Sequence, residues 1–349
     1  MDAGSAHELD LPWLSPTSAG RLIKCKASVT VSANGLNKKS YRAPPPRTVG
    51  DIAHLALHNW FSGGRWRQDP DGKELLAVFD ATALAAGIDI NEIPRGRITR
   101  SRTKFRARAL WDLLLEAEPD VKVLSELQLE DCERRIRGTL DILVHGPDSL
   151  RVIDMKTNAV TTPNGTVSPQ VTFQLMIYAA LVESNYGHLP DTVEAFSLTD
   201  GHHVMRVHET DLAEVRANVR AAQEAWMSGN RLAEPEEATC KFCPRRLECA
   251  PHWEVPRVAG MLDSVEGKVM RIVRSADALV SLLLETADGE RWLNGLRYGP
   301  EEKVAALTGR RIRAIHIFES TQVAPHDRDA NTSSLRPTSA TEFAVVLPE

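Results

Sequence analysis

The stretch SLRVIDMKTNAV, residues 149–160, decides how this chain is read. Ser149 to Ile153 read as a buried strand. Asp154 and Lys156 follow at its end, two residues apart. In extended chain, residues i and i+2 project to the same side. A carboxylate and an ammonium therefore share one face at a strand end. Taken alone, such a pair is more often a surface ion pair than half of an active site.

The neighbouring sequence changes that balance. Residues 121–129, 135–146 and 149–157 all read as strands, with HGPDS as the turn between the last two. Asp141 ends GTLD on the middle strand. Adjacent strands lie about 4.8 Å apart, so a hairpin brings Asp141 beside Asp154. Two carboxylates that close repel one another unless a cation sits between them. Oxygen ligands of this kind suit Mg²⁺ or Mn²⁺. Lys156 then lies next to the cation, placed to orient an attacking water and to stabilise a pentacoordinate phosphate.

Around these strands the pattern is mostly helical. Ser15-Pro16 starts a helix, with Ser as cap and Pro at the first helical position. Residues 33–48 read as loop. VGDIAHLALHNWF (49–61) has Val49, Ile52, Ala53 and Ala56 on one helical face. Residues 94–110 are strongly basic, with no acid among Arg95, Arg97, Arg100, Arg102, Lys104, Arg106 and Arg108, and lead into the apolar helix ALWDLLLEAE. Cations near a helix N-terminus oppose the macrodipole, and a bound polyanion removes that conflict. Residues 169–187 read as a helix ended by Gly187, residues 192–209 as a hairpin around Asp200-Gly201, and Asp211 as the cap of a helix to about Asn230.

Taken in order, several motifs resemble the PD-(D/E)XK nucleases of the RecB-like branch. GTLD followed by VIDMKT matches the nuclease core. VGDIAHLAL resembles the Gly-x-x-x-His motif, which makes His54 a metal ligand. LSELQL supplies the acidic residue Glu126, and FQLMIY supplies Gln174 and Tyr178 on one helix face. The resemblance covers residues 15–253. It implies an α/β, restriction-endonuclease-like core, a mixed central sheet flanked by helices. It also implies that His54, Asp141, Asp154 and the Met155 carbonyl hold the ion. Lys156 positions the water, Glu126 assists the metal, and Gln174 and Tyr178 orient Lys156 or the DNA strand.

CKFCPRRLEC places Cys240, Cys243 and Cys249 in a Cys-x2-Cys-x5-Cys spacing, with Cys25 as candidate fourth ligand. One early cysteine and three late ones resemble the iron–sulfur nucleases of the Cas4 and AddB type. A [4Fe-4S] cluster there staples the two ends of the domain; a four-cysteine Zn²⁺ site is the alternative. Cys132 falls outside the pattern and reads as an ordinary buried thiol. Arg245 and Arg246, beside the cluster, join the basic stretch as candidate DNA contacts.

After residue 253 the texture changes to five short strands with a helix, EEKVAALTG, between the third and fourth. That order is the pattern of an oligonucleotide/oligosaccharide-binding (OB-like) barrel, with a generic small β-barrel as competitor. Residues 327–341 read as a polar loop. Trp292, Tyr298 and Phe318 are candidates for base stacking, with Trp292 expected in the core. The organisation expected is an arm (1–14), a nuclease domain (15–253) and a barrel (254–349).

The totals set outer limits. The chain has 349 residues and net charge -5, so only local patches point to nucleic acid. No apolar run reaches the roughly 20 residues that span a bilayer, and residues 1–18 lack signal-peptide features. A cytoplasmic protein without a membrane partner is expected. An odd count of 5 cysteines argues against a disulfide framework. The function expected is a Mg²⁺- or Mn²⁺-dependent deoxyribonuclease, an exonuclease more than an endonuclease, acting on single-stranded DNA or DNA ends in repair, recombination or anti-phage defence. The partners expected are DNA and a helicase or another defence or repair subunit. The alternative is a non-catalytic DNA-binding scaffold subunit.

Overall fold

A computed structural model of the chain describes residues 13–29, 41–42, 49–62, 64–91, 95–115, 121–147, 149–241, 243–254, 263–296, 304–320 and 333–346. In chain order the elements are helix α1 (Pro16–Lys24), the short strand β1 (Tyr41–Arg42), and helices α2 (Val49–Ser62), α3 (Lys73–Ala85) and α4 (Gly96–Leu115). Strands β2 (Lys122–Asp131), β3 (Ile136–His145) and β4 (Leu150–Lys156) follow, then α5 (Pro169–Tyr186), β5 (Thr192–Ser197), β6 (Gly201–Arg206) and α6 (Glu209–Met227). Last come α7 (Glu237–Cys240), α8 (Ala250–Glu254), β7 (Ser264–Arg274), β8 (Val280–Thr286), β9 (Gly289–Leu296), β10 (Arg311–Ser320) and β11 (Ser333–Val345). Contacts divide the chain into two units, 1–24 with 46–231 and 25–45 with 232–349. The three clustered cysteines and Cys25 thus fall in the second unit.

In the first unit, local chemistry sets the helix ends. The Ser15 hydroxyl accepts the Ser18 N–H, and the Ser18 hydroxyl oxygen accepts the Ser15 N–H, a reciprocal cap for α1. Ser168 caps α5 by accepting from Val171 N, and Gly187 ends it at φ 81. The N-cap position of α6 is His208, whose side chain makes no capping bond, and Asp211 lies in the first turn. An acid there favours the helix through the dipole without being its cap. The basic stretch is not a lead-in to a helix but part of α4 itself.

The sheet runs β2-β3-β4-β5-β6 and is mixed: β4 and β5 are parallel, the other pairs antiparallel. A parallel pair needs a crossover, and α5 supplies it. Ile142, Val144, Ile153, Met155 and Phe196 share one core with α2, α3 and α4 through Ile52, Ala56, Trp60, Phe79 and Leu110.

Strand alternation changes sides in the middle of β2 and β3. Val123 packs on the α2–α4 core and Ser125 meets His58 of α2. Six residues on, Asp131 of the same parity is held by Ser184 of α5. On β3, the Gly138 Cβ direction meets Tyr178 and Leu181 of α5, whereas Ile142 and Val144 face α2–α4. The reversal coincides with Glu126, whose φ of 52 is left-handed. Ser125↔Ile142 and Leu127↔Leu140 keep register across it. A non-glycine residue in that conformation is uncommon and clusters at functional sites.

The second unit holds a closed five-stranded barrel. Strands β7, β8 and β9 form a meander, β9 pairs parallel with β11, β11 with β10, and β10 with β7. Its core includes Val269, Leu282, Leu293, Ile312, Leu335 and Phe343. Strand β1 extends the edge at β11. The expected polar loop 327–341 is corrected: β11 begins at Ser333, with Leu335 buried between Leu293 of β9 and Glu319 of β10. Pro337 and the hydroxyl-rich composition masked a strand held by long-range pairing. Trp292 is buried as expected, Phe318 is partly exposed, and Tyr298 lies outside the described residues. Among the described residues, no helix is long and apolar enough to cross a membrane.

Candidate active site

The site forms where β3 and β4 part. Their last paired rung is Ile142↔Ile153. One rung on, Asp141 and Asp154 stand opposite, and the Asp141 carboxylate accepts the Met155 N–H at 2.6 Å. A side chain thus replaces the missing ladder bond and is fixed by it. Helix α2 delivers His54, whose Nδ1 lies 3.4 Å from Asp141 Oδ1. Across β2, Glu126 completes a group in which one ligand atom each from His54, Glu126 and Asp141 lie within 4.8 Å of one another. The left-handed backbone at Glu126 turns its carboxylate to this point.

Asp154 is buried, and its Oδ2 lies 2.7 Å from Lys156 Nζ. Lys156 also donates to Gln174 Oε1 at 3.2 Å, and Tyr178 hydrogen-bonds Gln174 from the next turn of α5. Asp154 and Lys156 thus pair directly.

The electrostatics mark the site as short of positive charge. Burial pushes the Asp154 carboxyl up to about 6; Lys156 pulls it down and the Asp141 charge pushes it further up. Burial also raises Glu126, aided by Asp141 and opposed by His54 and His58. Burial disfavours a charged His54, yet its bond to Asp141 and the charges of Asp141 and Asp154 raise its pKa. Three carboxylates, an imidazole and one lysine therefore fit a divalent cation, whose charge would relieve the Asp141–Asp154 repulsion.

Sequence reasoning missed two supports. His58, one turn after His54, lies 3.0 Å from Ser125 Oγ and fixes β2 just before Glu126. Asp200, in the β5–β6 turn, accepts the N–H groups of Val160 and Thr161 and the Thr161 hydroxyl. It pins the segment that follows Lys156. Burial opposes its charge, but bonds from Ser197, Thr161 and Val160 hold the carboxyl down at about 2. The i, i+4 spacing of His54 and His58 was visible; a bond from the hairpin turn back to residue 160 was not.

The other candidates fall elsewhere. Arg100 is taken by Asp80 and Arg108 by Asp112. Arg97 donates to Asn91, Arg102 to the Thr199 hydroxyl and Arg106 to the Thr199 carbonyl. Arg95 and Lys104 are exposed. In the second unit Arg245 pairs with Glu248. Arg246 corrects its assignment as a DNA contact: it is 1 % exposed and held bidentately by Asp263. Its role is to tie the cysteine segment to the start of the barrel strand β7.

The four cysteines assigned to a cluster lie close enough for their charges to act on one another. Burial raises the Cys240 thiol to about 11, with Cys243, Cys249 and Cys25 adding to the rise. Cys249 is raised by burial and by Cys25 and Cys243. Cys25 Sγ accepts the Glu234 N–H at 3.4 Å. Cys132 is exposed rather than buried, because it sits in the turn between β2 and β3.

A family model described as the PD-(D/E)XK nuclease superfamily matches residues 13–250. Among solved structures, a candidate exonuclease from Eubacterium rectale is similar at 10% identity, over 74% of this chain and 96% of that one, with a TM-score of 0.37. An alkaline exonuclease from Laribacter hongkongensis is 14% identical over 48% of this chain and 94% of that one, TM-score 0.27. A murine DNA-binding protein bound to double-stranded DNA is 12% identical over 66% and 100%, TM-score 0.21. No curated protein matches.

Proposed function

Because the chain belongs to the PD-(D/E)XK nuclease superfamily, whose nucleases use divalent metal ions, we propose that it hydrolyses DNA phosphodiester bonds with Mg²⁺ or Mn²⁺. The observation that carries this reading is the meeting of His54, Glu126, Asp141, Asp154 and Lys156 where β3 and β4 separate. His54, Asp141 and Asp154 hold the cation, with Glu126 beside them and the Met155 carbonyl as the resemblance implies. The ion supplies Lewis-acid charge and lowers the pKa of water. Lys156, beside Asp154, would donate to the attacking water or the phosphate. Gln174 fixes the Lys156 ammonium, and Tyr178 fixes Gln174. Asp141, accepting the Met155 amide N–H, ties the ends of β3 and β4 together.

Single-stranded DNA or DNA ends are the substrate that the RecB-like resemblance favours, with exonucleolytic cleavage in repair, recombination or defence, beside a helicase or similar subunit. The barrel's strand order, β7-β8-β9-β11-β10 with β10 closing on β7, supports an OB-like module for nucleic acid or a partner. Cys25, Cys240, Cys243 and Cys249 hold a [4Fe-4S] cluster on this reading. A tetrahedral Zn²⁺ held by the same four thiolates is the alternative. Metal analysis of anaerobically purified protein separates iron from zinc.

The test is cleavage of end-labelled single- and double-stranded DNA across a metal titration. Activity that disappears in Asp154→Ala and Lys156→Ala supports the reading. DNA binding without cleavage in any metal would replace it with a scaffold subunit.

A further inference from the structure

Helix α4 presents an outward ridge that nothing in the catalytic constellation uses. At 3.6 residues per turn, Thr103, Ala107, Leu110 and Leu114 form its inner face, and all four are buried. Phe105 lies directly opposite and is 76 % exposed; Ile98, two turns earlier on the same ridge, is 53 % exposed. Phe105 thus offers most of its ring to solvent in the middle of a charged helix.

Its flanks are cationic on both sides. Arg102 and Arg106 run along one side of the ridge, Arg97 and Lys104 along the other. Among the described residues, none of these four has a carboxylate within 4 Å, whereas Arg100 and Arg108 are neutralised by Asp80 and Asp112. The Arg106 guanidinium sits 5.7 Å from the Phe105 ring centre.

The ridge is also tied to the catalytic strand. Arg102 and Arg106 both donate to Thr199, and the Thr199 hydroxyl donates to the Thr157 carbonyl, the residue after Lys156. These three hydrogen bonds link α4 to the end of β4 through Thr199.

We propose that this ridge is a binding surface for unpaired nucleic acid, with a base stacked on Phe105 and the flanking cations on the phosphates of the same strand. A flat aromatic ring between two rows of guanidinium and ammonium groups matches a strand that alternates π-faces with negative charge. Duplex DNA keeps its bases stacked inside and offers Phe105 no partner. The inference rests on the DNA reading proposed above and adds to it the surface and the residue that would hold an unpaired strand.

The experiment uses the full chain and a short fluorescein-labelled single-stranded oligonucleotide, with metal chelated so that nothing is cut. Phe105→Ala is expected to weaken binding by about 5- to 100-fold and to leave the slope of log affinity against log salt unchanged. Phe105→Trp is expected to restore it. Arg102→Gln and Arg106→Gln should each flatten that slope by about 0.7 if one phosphate contact is lost. Met227→Ala, an exposed apolar truncation on α6, controls for general surface effects. If wild type binds and Phe105→Ala binds equally well, the ridge is not a stacking site and this inference alone falls. If Phe105→Ala keeps DNA affinity but loses self-association, the ridge is a protein interface and the inference falls. If wild type binds no DNA at all, the nuclease reading falls with it.

Discussion

Asp154→Asn should stabilise this protein while abolishing its chemistry. Asp154 is 3 % exposed, and its carboxyl titrates near 6 instead of 3.8. Between about pH 4 and 6 the native state keeps a proton that the unfolded chain has released, so stability falls as pH rises through that window. Above 6 the cost is fully present. A rise from 3.8 to about 6 corresponds to roughly 3 kcal/mol, a cost carried by the metal-free site at neutral pH. Asparagine mimics the neutral form, so the variant should regain up to that amount at pH 8. For a unit of this size, each kcal/mol raises Tm by about 2–4 °C. The assay is thermal unfolding of both proteins in chelator at pH 8 and at pH 4. The expected gain is several degrees at pH 8 and nothing at pH 4. Saturating Mg²⁺ should raise the wild type toward the variant, because a ligand bound only to the native state stabilises it. A variant that melts at or below wild type at pH 8 would refute the reasoning, by showing that Lys156 already compensates the buried charge.

Two further predictions concern the scaffold. Glu194 is 1 % exposed; burial opposes its charge, but His202, Arg151 and Thr192 hold its carboxyl down at about 2 instead of 4.5. That stability, up to about 3 kcal/mol, is present above pH 4.5 and lost as pH falls toward 2; Glu194→Gln should thus cost far more in urea unfolding at pH 7 than at pH 3, and an equal cost at both would sink the assignment. A Cβ at Gly138 would lie 3.1 Å from Tyr178 Cε1 and 3.2 Å from both Leu181 and Pro16. Gly138→Ala should cost about 1–3 kcal/mol and, by shifting Tyr178 and with it Gln174, lower kcat; unchanged Tm and turnover would refute the link.

The two corrections with the most structural consequence share a cause. Arg246 read as a surface cation because its neighbours Arg245 and Glu248 are polar, but its partner Asp263 lies 17 residues away in sequence. Residues 333–341 read as loop because Pro337 and a run of hydroxyls carry no strand pattern; β10 and β9 on either side impose the strand. In both, the deciding contact is distant in sequence, where local propensity is overruled.

What the sequence determined by itself is what repeats locally. The two-residue period placed Asp154 and Lys156 on one face, the 3.6-residue period placed Gln174 above Tyr178, and glycine's freedom at φ 81 ended α5 at Gly187. Tertiary structure alone decided what depends on one strand meeting another. The left-handed Glu126 reverses the alternation of β2 and β3, so that Glu126, Asp141 and His54 converge at the rung where β4 departs. No local pattern announces that turn. A carboxylate residue held at φ 52 is unfavourable in isolation, and it persists because the paired rungs on both sides leave it no alternative.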